Sequence, residues 1–97
     1  MQYLEILQNW VSNNQSQLEE KGITVDLVKG PQHEKPSMYV DMNTENSLAR
    51  VTAWSSGELQ MEVIQVGSGK QLIVEARRAE NPKEMIDFIV AFVSRIP

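Results

Sequence analysis

The chain has 97 residues, 41% of them hydrophobic and 23% charged, which suits a single folded domain over 1–97 with one core and no room for a second. Nine basic against thirteen acidic residues give a formal net charge of -4 at pH 7, which repels nucleic-acid phosphates and favours a basic partner over direct nucleic-acid binding. Cysteine is absent, so disulfides, thiolate metal sites and cysteine nucleophiles are excluded, as suits a reducing cytoplasm.

The opening MQYLEILQNWVS has no basic stretch leading into an unbroken apolar run, and no segment approaches the ~18 apolar residues of a membrane span. A cytoplasmic protein without membrane attachment is expected. Tyr3, Leu4, Leu7, Trp10, Val11 and Leu18 recur at helical spacing between Gln2 and Glu20, and Gly22 stands where a left-handed cap would end that helix. Ile23, Val25 and Leu27 alternate with polar neighbours as a strand does. KGPQHEKP, residues 29–36, holds two prolines and reads as a loop.

Met38, Val40 and Met42 mark a second strand, and residues 43–47 are polar turn material. RVTAWSSGELQMEV, residues 50–63, is two alternating runs joined at Ser55-Ser56-Gly57. A last strand over 71–77 follows Gly67-Ser68-Gly69, with Leu72, Val74 and Ala76 taken as its apolar face. Asn81, Pro82 and Glu84 form a helix start, as N-cap, first helical residue and capping-box partner. Met85, Ile86, Ile89, Val90, Phe92, Val93 and Ile96 continue that helix.

The order predicts an α+β fold: helix, five-stranded mainly antiparallel meander, helix. Each strand has one apolar parity set, so both helices should pack on the same sheet face. The expected core is Leu4, Leu7, Val11, Leu18, Val25, Leu27, Val40, Val51, Met61, Val63, Leu72, Val74, Ile86, Ile89 and Val93. The other parity set, Thr24, Asp26, Tyr39, Asp41, Arg50, Thr52, Trp54, Glu58, Gln60, Glu62, Ile73, Glu75 and Arg77, should form an open face.

That face carries five carboxylates, two arginines and two aromatics. Trp54, Tyr39 and Arg50 are residue types that anchor interfaces, and Asp41, Glu58, Glu62 and Glu75 would supply charge to a basic protein partner.

Chemistry finds little purchase. VGSGKQ at 66–71 has Ile64 where a phosphate-binding loop needs glycine and Gln71 where it needs Ser or Thr, so it reads as a hairpin turn. The lone His33 sits in the proline-flanked loop without convergent partners, and no calcium-loop spacing is present. Trp10 lies on the apolar stripe of the first helix and reads as core. No catalytic residue, no metal site and no cofactor is expected, and the protein should not be an enzyme.

Gly22-Ile23 after a helix, Ser37-Met38-Tyr39-Val40-Asp41, Arg50-Val51-Thr52-Ala53-Trp54, Ser56-Gly57-Glu58 and Met61-Glu62-Val63 together resemble the TriTu immunity proteins, over nearly the whole chain. The resemblance implies a toxin–immunity pair of the kind used in bacterial contact-dependent growth inhibition. The chain would then be a cytoplasmic, non-enzymatic inhibitor, monomeric when free, that binds the C-terminal domain of a cognate toxin. It implies a basic nuclease as that toxin, of the type that cleaves tRNA with help from elongation factor Tu. The rival reading is a small acidic chaperone for a secreted effector, which would dimerise and expose apolar patches.

Overall fold

In the computed structural model, which describes residues 2–97, the chain runs α1 (Gln2–Glu20), β1 (Thr24–Lys29), β2 (Ser37–Asn43), β3 (Ser47–Trp54), β4 (Glu58–Gln65), β5 (Gln71–Arg78) and α2 (Pro82–Val93). The strands form one sheet in the order β1-β2-β3-β4-β5, each pair antiparallel, as a meander with short turns requires.

The helix ends follow from their residues. At the C-terminus of α1 the Ile23 N–H donates to the Leu18 carbonyl and the Gly22 N–H to that of Glu19, with Gly22 at φ +86. This is a Schellman cap, and its hydrophobic contact is present too, since Leu18 and Ile23 are both buried. At the start of α2 the Asn81 side chain accepts from the Glu84 N–H at 2.9 Å. The Glu84 carboxylate reaches back one residue further than a capping box would, accepting from the Glu80 N–H at 2.7 Å.

Alternation decides which face is buried. Met38, Val40 and Met42 of β2, Ala49, Val51 and Ala53 of β3, and Leu59, Met61 and Val63 of β4 lie under the helices, in one core with Leu4, Leu7, Val11 and Leu18 of α1 and Met85, Ile89 and Phe92 of α2. Both helices therefore cover the same sheet face. Trp10 packs half-buried against this core.

β5 departs from the expected parity. Val63 pairs with Ile73 and Ile64 with Gln71, so Leu72 is left over at a bulge. Ile73 faces the core, while Leu72 and Val74 are 40% and 55% exposed. Leu27, Ile86 and Val93, also expected in the core, are only half-buried.

The turn at Gly57 locks three elements together. Its φ is +94, and a Cβ there would lie 2.8 Å from the Ala79 carbonyl oxygen and 3.0 Å from the Tyr3 ring. The Ala79 N–H donates to the Gly57 carbonyl, and the Tyr3 hydroxyl donates to the Ala79 carbonyl at 3.2 Å. Only glycine fits such a close approach at positive φ.

Candidate partner-binding face

The sheet face turned away from the helices is organised in rows across the strands. One row runs Asp26, Asp41, Arg50, Glu62, Val74, and the next runs Val28, Tyr39, Thr52, Gln60, Ala76. Ser37 and Trp54 stand opposite each other beyond them, as do Glu58 and Arg78. Six of the expected site residues, Tyr39, Asp41, Arg50, Trp54, Glu58 and Glu62, therefore share this face.

Two preformed clusters stand on it. Arg50 reaches across to β2, with Nε 2.7 Å from Asp41 Oδ1 and Nη2 3.2 Å from Oδ2, while its guanidinium lies 3.9 Å from the centre of the Tyr39 ring. The hydrogen bonds that Arg50 donates to Asp41, outweighing burial, hold its pKa above the ordinary value, so it is charged throughout the working range. The second cluster borrows a residue from the 30–36 loop. Lys35 Nζ lies 5.6 Å from the Trp54 ring centre and 2.6 Å from Glu58 Oε1, which also accepts from Ser56 Oγ at 2.9 Å. The loop is pinned for this role, since the Ser55 N–H donates to the Pro36 carbonyl and the Gln32 amide bridges the Gly30 and Ser37 carbonyls.

Glu75 is not on this face. The β5 bulge places it opposite Met61 on the helix side, where Arg95 Nη2 lies 2.8 Å and Arg77 Nη2 3.4 Å from its carboxylate. Ile73 and Arg77 move to the helix side with it, and Val74 and Arg78 take the open side. The charge changes accordingly. Asp26, Asp41, Glu58 and Glu62 stand against Arg50, Arg78 and the adjoining Lys35, so the face is nearly balanced, less acidic than the expected five carboxylates against two arginines.

Apolar side chains fill in between. Leu48 and Ile64 pair across β3 and β4 on the open side, and Leu48 is 51% exposed. With Asp41, Asn43, Arg50 and Glu62 they line a depression of about 300 Å³; a wider one of about 530 Å³ lies beside Trp54, floored by Gln60 and Ala76. Leu48 and Ile64 have the parity of Arg50 and Glu62, the one signal in the sequence that would have placed them here.

The pKa shifts on this face run away from neutrality. General acid–base groups need a pKa moved toward neutrality, whereas Arg50 moves up and Glu58 moves down, the latter through its hydrogen bonds from Lys35 and then Ser56. Among the described residues no group of three or more His, Asp or Glu converges as a metal site, and no buried side-chain nitrogen or oxygen lacks a partner. His33 is exposed in its loop. Among the described residues no helix is long and apolar enough to cross a membrane.

The carboxylate shifts make a prediction for stability. Glu75, held down by Arg95, and Glu58, held down by Lys35, both titrate below their ordinary range. A depressed carboxylate adds stability above its unfolded pKa of ~4.3 and loses it as pH falls through the folded value. Melting temperature should therefore fall below about pH 4.3, and Glu75→Gln should flatten part of that acid limb. An acid limb identical to wild type would show that the Glu75–Arg95 pair adds nothing.

The family model of Immunity protein TriTu matches residues 5–95, from the first turns of α1 to just beyond the end of α2. No curated protein matches the chain. The match spans every strand and the Arg50–Trp54 and Ser56–Glu58 segments that build the two clusters, and the chain belongs to the TriTu family of immunity proteins, whose role is toxin neutralisation.

Proposed function

We propose that the protein, acting in the cytoplasm as a monomer, neutralises one cognate toxin domain by binding it through the open sheet face without chemistry of its own. The observation that carries this reading is the pair of aromatic–cation clusters, Tyr39 with Arg50 and Trp54 with Lys35, side by side on the sheet face that no helix covers. Side chains already held by Asp41 and Glu58 lose little freedom when a partner arrives, and preorganised Trp, Tyr and Arg dominate interface energies. Glu62, like Asp26, makes no ion pair among the described residues and is free to meet a partner cation. Glu75 leaves the contact set, being on the far side.

A narrower reading makes the toxin a basic tRNA nuclease of the elongation factor Tu-dependent type, delivered by contact-dependent inhibition. The net charge of -4 favours it, since a basic nuclease would be steered onto an acidic inhibitor. The near-balanced open face gives it less support than the overall charge does.

Co-expression with the toxin domain encoded beside this gene tests both readings. Growth arrested by the toxin should be restored by this protein, and tRNA cut in arrested cells should stay whole in protected ones. Arrest with intact tRNA would move the toxin's target elsewhere and leave neutralisation standing. Arrest that this protein does not relieve would remove neutralisation itself.

A further inference from the structure

β5 ends the sheet, and along its outer side every second residue presents backbone N–H and C=O groups with no strand beyond among the described residues, although the Ala76 carbonyl accepts from Arg77 Nη1 at 2.9 Å. The opposite edge, β1, is packed against α1. β5 meets the helix layer mainly at Ile73 and through Glu75 and Arg95, and six of its eight residues are exposed. Its charge is uneven. Val74 is 55% exposed in the first half, whereas Arg77 and Arg78 close the second, and Arg78 makes no ion pair among the described residues. Edges are guarded against aggregation by charge, by bulges or by inward-pointing charged residues, and Glu75 on the helix side is neutralised by Arg95. Here the bulge at Leu72 guards one end, and from Ile73 onward the ladder is regular.

We propose that the outer edge of β5 pairs with an extended strand of the cognate toxin, one that sets an apolar or β-branched residue against Val74 and a carboxylate against Arg78. This rests on the toxin-binding reading above and adds the mode of attachment, since backbone pairing supplies affinity and alternate side chains supply specificity. Val74 stands in the same row as Arg50 and Glu62, so an added strand continues the open face without a gap. A second copy of this chain fits the edge less well. A two-fold register centred on Val74 sets Arg78 against Lys70, one centred on Glu75 sets two Glu75 side by side, one centred on Ala76 pairs Glu75 with Arg77 but sets Arg78 against Val74, and each copy carries a net charge of -4.

The test is amide hydrogen exchange followed by NMR on the labelled protein, alone and in complex with the toxin domain encoded beside its gene. Alternate amides of β5 should slow at least ~10-fold in the complex while their inward neighbours stay unchanged, because only outward N–H groups gain a partner. Arg78→Glu and Val74→Lys, both at exposed positions that leave the core intact, should each weaken the complex ~10-fold or more, as loss of interface contacts does. A complex that forms with unchanged β5 exchange overturns strand pairing and leaves toxin binding standing. No complex at all overturns both. Slowed β5 amides in the free protein, together with a dimeric mass, would assign the edge to a second copy and overturn the proposal.

Discussion

Replacing Phe92 by alanine should cost about 3–5 kcal/mol, the usual penalty for emptying a fully buried aromatic site, out of a total of about 5–15 kcal/mol for a natural domain. Phe92 is 1% exposed and closes the stripe that begins with Met85 and Ile89, both fully buried. That stripe holds α2 on the sheet. Val90, two residues before Phe92 and off that stripe, is 51% exposed, so Val90→Ala should change stability by less than about 0.5 kcal/mol. Urea denaturation of both variants reads the contrast: a large fall in midpoint for Phe92→Ala and almost none for Val90→Ala. Equal midpoints would mean that α2 is not docked by this face.

The elements that sequence made plain are those with two agreeing local signals. Helix α2 has Asn81 and Pro82 at its start and an apolar stripe behind them; α1 has its stripe and Gly22. Over residues 38–42, 49–54 and 58–63 the inward positions are all apolar, so parity alone put Val40, Val51 and Met61 inside and Tyr39, Arg50 and Trp54 outside.

β5 failed for a physical reason. Leu72-Ile73-Val74 is apolar on both parities, and the strand lies where the helix layer thins out, so a polar Glu75 is tolerated on the helix side by pairing with Arg95. An amphipathic pattern assumes that the covered face is dry. At a sheet edge it need not be.

The open face was legible as a set of residues but not as a structure. Parity could assemble Tyr39, Asp41, Arg50 and Trp54; it could not show that Arg50 is clamped between Asp41 and Tyr39, which depends on the register of β2 against β3. Lys35 was hidden in a loop, and nothing local in KGPQHEKP says that its amine will lie over Trp54. Charge went wrong with β5: Glu75 and Arg77 leave the face while Arg78 and the adjoining Lys35 join it, which turns a supposedly acidic surface into a nearly neutral one with fixed aromatic–cation pairs. This shifts weight from electrostatic steering to the anchors themselves.

The second large effect concerns those anchors. Trp54 is the largest side chain on the open face, half-buried and already positioned by Lys35. If a toxin covers it, Trp54→Ala should cost the complex ~2 kcal/mol or more, about a 30-fold rise in Kd. Arg50→Ala should cost a comparable amount by unseating Tyr39 and leaving Asp41 unpaired. Glu62→Gln should act differently, slowing association at low salt with a smaller effect on dissociation, because an exposed carboxylate steers more than it holds. The direct measurement is binding of the toxin domain encoded beside this gene to wild type, Trp54→Ala, Arg50→Ala and Glu62→Gln, at low and high salt, with each variant first shown to be folded. The account predicts a loss of about 30-fold or more for Trp54→Ala at both salt concentrations and a salt-dependent on-rate defect for Glu62→Gln. Wild-type affinity in Trp54→Ala and Arg50→Ala, with an unaltered on-rate in Glu62→Gln, would contradict the assignment of the open face as the toxin-binding surface.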